Sequence, residues 1–75
     1  MKKHFNRNDT IYQITKQHPD IIDILANLGF SEITKPGMLS TVGRVMTLSK
    51  GAMMRGIDLE EIYRTLEAAG YEILD

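Results

Sequence analysis

The chain contains no cysteine and no long run of apolar residues. Without cysteine it can form neither disulfides nor thiolate metal sites, and it has no thiol nucleophile. No apolar stretch approaches the roughly 18 residues that a membrane-spanning helix needs. The polar start, residues 1–9, lacks the apolar segment of a signal peptide. We therefore expect a soluble, unprocessed protein of a reducing cytoplasm, whose only source of stability is helix packing.

The length of 75 residues allows one domain, because a chain of this size buries only about 60% of its unfolded surface. Charge is distributed unevenly along it. Residues 35–56 hold four basic groups and no acidic group, whereas residues 57–75 hold six acidic groups and one basic group. The simpler interpretation is that the last helix packs beside the middle of the chain and the charges complement each other. The alternative is that the basic segment binds a partner.

Capping signals and apolar periodicity predict short helices in the first part of the chain. Thr10 and Gln13 fit a capping box, so a helix should begin near Ile11. A second helix is expected over residues 19–28, because proline suits the first helical turn. Gly29 is expected to end it.

After an irregular loop, three further segments have helical signals. A helix is expected over residues 38–46, another is capped by Thr47, and the last is opened by Asp58. Gly70 ends the last helix and leaves residues 71–75 as a short extended tail.

Together these signals predict an all-α fold, a compact orthogonal bundle of about five short helices. Residues 1–75 form a single helical domain in this prediction, with residues 1–8 as a loose N-terminus. The second helix has one of the most apolar faces, formed by Ile21, Leu25 and Leu28 at helical spacing. We expect this face at the centre of the core.

Several short motifs occur in an order that resembles a known family. They are Asp9-Thr10-Ile11, His18-Pro19, Leu28-Gly29-Phe30, Thr41-Val42-Gly43-Arg44, Leu48, Gly56-Ile57-Asp58 and Leu66-Glu67-Ala68-Ala69-Gly70. The family is a small bacterial and archaeal group of all-helical domains of unknown function. The resemblance implies a bundle of about five short helices, found alone or fused to haemerythrin-like and sensor domains. It also implies a relation to the N-terminal domain of di-iron proteins that repair iron centres.

The chain departs from that family at one point that bears on chemistry. Many relatives carry cysteines just after the glycine that closes the second helix, whereas this chain has Phe30-Ser31-Glu32 there. A thiol-based redox or metal role therefore cannot be transferred. What the resemblance still implies is the fold and an accessory or interaction role, since no activity is established for the domain itself.

Neither catalysis nor metal binding is indicated by the residues present. His4 and His18 are the only imidazoles, whereas zinc usually takes four protein ligands in structural sites. No serine has a base at a meaningful spacing, and no convergent pair of carboxylates is visible. We expect no enzyme activity, no cofactor and no metal, and an exposed or capping role for His18.

The candidate partner surface is a basic segment that also carries methionines. Its residues are Arg44, Lys50, Met53, Met54 and Arg55. The adjacent Met53 and Met54 cannot both point inward on one helix, so one should be exposed beside basic groups. A flexible thioether there suits contact with an acidic, amphipathic partner, either another protein or a second copy. Arg44 either joins this surface or pairs with Glu61 or Asp58 and pins the last helix.

Two alternatives belong to other functional classes. Residues 48–62 are typical of a helix-turn-helix segment, so nucleic-acid binding is one of them. However, the helix that opens at Asp58, which would have to enter the DNA groove, is strongly acidic and has Arg64 as its one basic residue. Phosphates would repel it. The other is small-ligand or metal sensing between the helices, and the absence of cysteine argues against its metal version.

We expect the protein not to retain DNA or RNA even at low ionic strength, because the helix that would enter the groove is acidic. Fluorescence anisotropy of labelled duplex DNA and single-stranded RNA, followed through a salt titration, measures this. Retention that weakens steeply as salt rises would instead support nucleic-acid binding.

Overall fold

The computed structural model describes residues 3–75 and contains short helices together with a small sheet. The elements are β1 (Lys3–Asn6), α1 (Ile11–Gln17), α2 (Ile21–Leu25), a π-helical turn (Ala26–Phe30), α3 (Pro36–Leu39), a 3-10 turn (Val42–Arg44), α4 (Leu48–Arg55), α5 (Leu59–Ala68) and β2 (Tyr71–Leu74). Among the described residues, no helix combines the length and apolar character that crossing a membrane requires.

The all-α prediction is wrong, because the two ends of the chain form a parallel two-stranded sheet. β1 pairs with β2, and Lys3 lies opposite Tyr71. The segment 1–8, expected to be loose, thus contains a strand, while residues 1 and 2 lie outside the described part. The extended tail after Gly70 is the second strand. Local periodicity could not reveal this pairing, since it joins opposite ends of the chain.

One cluster of buried side chains joins the helices to the sheet. The predicted centre is partly confirmed, since Ile21 and Leu25 are fully buried whereas Leu28 is only partly buried. Each large apolar side chain stabilises the fold by about 1.5 to 3 kcal/mol when buried. The buried apolar residues are Phe5, Ile11, Ile14, Ile21, Leu25, Phe30, Ile33, Leu48, Ala52, Ile62, Leu66 and Tyr71.

The helix starts predicted at Thr10, Thr47 and Asp58 are confirmed by their capping hydrogen bonds. The Thr10 hydroxyl accepts from the Gln13 N–H, and the Gln13 side-chain oxygen accepts from the Thr10 N–H. The Thr47 hydroxyl accepts from the Lys50 N–H and caps α4. Asp58 caps α5 by accepting from the N–H of Glu60 at 3.1 Å, without the reciprocal half of a capping box. These starts were predictable because a cap involves only neighbouring residues.

The second predicted helix is shorter than expected and ends in a wider turn. α2 stops at Leu25, and the chain continues as a π-helical turn in which Gly29 has φ +117°. Residues with a side chain rarely adopt this conformation. A Cβ at Gly29 would also lie 2.8 Å from Cδ1 of Ile57. Gly29 therefore reverses the chain and lets the segment after α4 approach closely.

The single helix predicted over residues 38–46 is wrong. The segment forms α3, which begins at Pro36, and then a separate 3-10 turn. The hydroxyls of Ser40 and Thr41 donate to the carbonyl of Gly37. Such local bonds compete with regular helical hydrogen bonding and favour a break.

A polar cluster fastens the sheet to the junction of α1 and α2. The Tyr71 hydroxyl donates to Oδ2 of Asp20, and Nζ of Lys3 lies 3.1 Å from the same oxygen. Burial, followed by the bond to Asp20, raises the pKa of Tyr71 to about 12. The bonds from Tyr71 and then from Lys3 lower the pKa of the Asp20 carboxyl. The ionised carboxylate is therefore the form that holds the chain ends in place.

His18 completes this junction. Its backbone N–H donates to the carbonyl of Ile14 at the C-terminal end of α1, whereas the N-cap of α2 is Asp20. Its Nε2 lies 2.9 Å from the carbonyl oxygen of His4 in β1. Its ring meets the Tyr71 ring edge-on, with centroids 5.2 Å apart. His18 thus contacts both strands.

We expect Asp20→Asn to lower the urea midpoint at neutral pH and to flatten its decline in acid. Because the pKa of Asp20 is lower in the folded protein than its ordinary value of 3.8, its contribution is present above that value. The contribution is lost as the pH falls through the folded pKa. Urea unfolding across the acid range measures this.

The matched control is Asp23→Asn, because the Asp23 side chain is exposed and makes no side-chain hydrogen bond or ion pair within residues 3–75. Its profile should follow that of the wild type. A profile for Asp20→Asn that runs parallel to the wild type would contradict the role given to this carboxylate.

Candidate functional site

Four of the predicted surface residues lie on α4, and the side chains of both adjacent methionines are exposed. Met53 is 84% and Met54 73% exposed. The prediction that one of them is exposed beside basic groups is confirmed, and the other is exposed as well, because Leu48, Gly51 and Ala52 occupy the inner face of α4 at helical spacing. We call the exposed group the α4 surface. It consists of Lys50, Met53, Met54 and Arg55.

Arg44 is held against α1 instead. Its guanidinium carbon lies 4.3 Å from the centroid of the Tyr12 ring, a cation–π contact. Its Nε donates to the carbonyl oxygen of Ser40 at 2.7 Å. The predicted pairing of Arg44 with Glu61 or Asp58 is wrong, since no ion pair within residues 3–75 involves Arg44. With Thr10 and Gln13 it lines a separate polar recess.

The basic middle of the chain forms no ion pair with the acidic tail in the part that the structure describes. α5 does pack beside α4. Lys50 and Arg55 nevertheless have no ionic partner among residues 3–75, so their charges stay available to a partner. The ion pairs of this part are Lys3 with Asp20, Arg7 with Asp75 and Lys35 with Glu32.

An open apolar cleft of about 160 Å³ lies beside α4. Met54 and Arg55 belong both to this cleft and to the α4 surface. Of its two charged lining residues, Glu32 is paired with Lys35 at 3.2 Å, whereas Arg55 is unpaired among the described residues. The cleft is lined by Phe30, Glu32, Ile33, Met38, Val42, Met46, Gly51, Met54 and Arg55.

The wall of the cleft depends on a glycine in α4. A Cβ at Gly51 would lie 2.8 Å from Cε1 of Phe30, a separation that real side chains essentially never show. The Phe30 ring therefore lies directly against the backbone of α4, where it is only 2% exposed. The shape of the cleft follows from the missing side chain at position 51.

Sequence reasoning missed the far wall of this cleft. Ile33 comes from the irregular loop, whereas Met38 and Val42 come from the segment for which a single helix was predicted. The available signal was that this irregular segment keeps large apolar side chains, which a fully solvated loop would not need. Which of them meet α4 depends on the turn at Gly29 and could not be read from spacing.

The exposed face of α5 differs in charge from the α4 surface. The exposed face of α5 carries Glu60, Glu61 and Glu67, which would repel a nucleic-acid backbone. Within residues 3–75, no group of three or more His, Cys, Asp or Glu side chains is placed to hold a metal ion.

The comparisons with known proteins concern the family and the fold. The profile of a family described as "Domain of unknown function (DUF1858)" matches residues 5–63. The crystal structure of a conserved domain protein from Streptococcus pneumoniae TIGR4 is similar with a TM-score of 0.91 and 35% identity. The similarity covers 99% of this chain and 94% of that chain. No curated protein matches. Every residue that lines the cleft lies inside the family match.

We expect Gly51→Ala to destabilise the protein by about 1 kcal/mol. Overpacking against a buried ring costs roughly 1 to 3 kcal/mol, and the better helix propensity of alanine offsets about 1 kcal/mol of that. The matched control is Gly37→Ala, where a Cβ would meet nothing within 4 Å. Urea unfolding compares them, and a Gly51→Ala protein as stable as the control would contradict the close packing of Phe30.

Proposed function

The chain belongs to the family described as "Domain of unknown function (DUF1858)", and we propose that it is a non-enzymatic interaction domain with the α4 surface as its contact site. One observation carries this proposal. Met53 and Met54 are exposed side by side next to Lys50 and Arg55, which have no ionic partner among residues 3–75. Flexible thioethers beside cationic groups suit an acidic, amphipathic partner.

Contiguity distinguishes the methionines from ordinary exposed apolar residues. Single exposed apolar side chains are normal on protein surfaces. Met54, however, also lines the cleft, and so does the exposed Met38. Apolar surface that continues from a helix into a cleft is typical of binding sites.

The polar groups support a binding role over catalysis. The hydroxyls of Thr15, Thr34 and Thr65 donate to backbone carbonyls of their own helices or turns. Hydroxyls bound in this way are not activated by a neighbouring base, which nucleophilic catalysis requires.

The partner in this proposal is another protein or a second copy of the chain. The resemblance noted in the sequence extends it to an accessory role in a bacterial cytoplasm, beside haemerythrin-like or sensor domains. An accessory domain of that kind needs a stable fold and a contact surface.

The test is a charge reversal on the α4 surface, Lys50→Glu with Arg55→Glu. A photoreactive residue placed at position 49, which is exposed on α4, captures neighbouring proteins in lysate of the host. We expect capture of specific partners to fall several-fold in the reversed variant, because like charges then face an acidic partner. Sedimentation velocity of the purified protein tests self-association in parallel.

The matched control is Lys16→Glu with Arg64→Glu, which changes the net charge equally at exposed positions away from α4. It should leave capture unchanged, and circular dichroism confirms that both variants fold. Capture that survives the α4 reversal for every partner would overturn the proposal.

A further inference from the structure

We infer that the cleft beside α4 takes one phenylalanine-sized aromatic side chain from an acidic segment of a partner protein. The inference rests on the proposed function and extends it by stating the chemistry of the partner. Three features carry it: the size of the cleft, the side chains of its wall and the charges around it.

The size of the cleft matches one aromatic ring. Its volume is about 160 Å³, and an engineered apolar cavity of roughly 150 Å³ in another protein takes up benzene. Because this cleft is open on one side, a ring attached to a peptide can enter it.

The wall of the cleft favours an aromatic occupant over an aliphatic one. Met38, Met46 and Met54 bring three thioethers to it, and sulfur makes favourable contacts with the edges of aromatic rings. Methionine side chains are also flexible, so they can adjust around an entering ring.

The charges around the cleft favour acidic neighbours of that ring. Arg55 lines the cleft and has no ionic partner among residues 3–75. Lys50 lies one helical turn before Met54, on the same side of α4. The negative charge of Glu32 is balanced by Lys35. A segment with acidic residues beside its aromatic residue therefore complements the site.

A second folded copy of this chain does not supply such a segment. Phe5, Phe30 and Tyr71 are buried. The rings of Tyr12 and Tyr63 are half-buried and are covered by the guanidinium groups of Arg44 and Arg7. The large apolar side chains that are exposed within residues 3–75 are aliphatic or methionine: Met38, Val45, Met53, Met54 and Leu74. The occupant is thus expected from a different protein.

The test measures fluorescence anisotropy of a labelled peptide in which one phenylalanine is flanked on both sides by acidic residues. Two further peptides replace the phenylalanine by alanine or the acidic residues by lysine. We expect the first peptide to bind the full chain at least about tenfold more tightly than either of the others, a difference of 1.4 kcal/mol.

Two variants locate the binding. Met54→Asp places a charge in the cleft and should weaken binding of the phenylalanine peptide by about tenfold. Val45→Asp changes the charge equally at an exposed residue that does not line the cleft, so it should bind as the wild type does. Both positions are exposed, and circular dichroism verifies the fold.

The failures are distinguishable. The cleft inference would be overturned if the phenylalanine and alanine peptides bound equally well. It would also be overturned if Met54→Asp and Val45→Asp lost the same affinity for the phenylalanine peptide. The α4 surface would then be a purely electrostatic contact. If free N-acetyl-phenylalanine amide bound as tightly as the peptide, the occupant would be a small molecule and the inference would be overturned. If no peptide bound while the α4 reversal still abolished capture, only this inference would fail. If no peptide bound and the α4 reversal also left capture unchanged, the proposed function and this inference would both fail.

Discussion

The contact between the Phe30 ring and the backbone of α4 connects the core of this protein with its surface. It exists because Gly51 has no side chain and because Gly29 adopts a positive φ that turns the chain back toward α4. One side of the ring belongs to the buried cluster, and the ring also lines the cleft. The irregular segment after Phe30 rests on this contact and forms the opposite wall.

The two faces of α4 differ: one packs against the core, and the other is exposed to solvent. Small and apolar residues point inward and allow α5 and Phe30 to approach. Methionines and basic residues point outward, where two large apolar side chains remain in water. Water-exposed methionines give the domain little stability, and this is the basis of the binding role proposed for this face.

The chain ends belong to the shared fold, although the family match covers only residues 5–63. β2 lies beyond that range, yet the similar streptococcal structure aligns with 99% of this chain. Tyr71 explains how the strand is tied to the rest, since its ring packs on Phe5 and its hydroxyl binds Asp20. A strand pair with so few residues would be marginal alone, and these contacts hold it to the helices.

Sequence alone determined the features that depend on neighbouring residues. The caps at Thr10, Thr47 and Asp58 were predictable because the atoms that bond lie within one helical turn. The buried positions of Ile21 and Leu25 followed from helical spacing, and the exposure of a methionine on α4 followed from the adjacency of Met53 and Met54. Tertiary structure alone decided the pairing of β1 with β2, the position of Arg44 on Tyr12 and the cleft. Each of these joins segments that are distant along the chain, and no periodic pattern in the sequence records which distant segments meet.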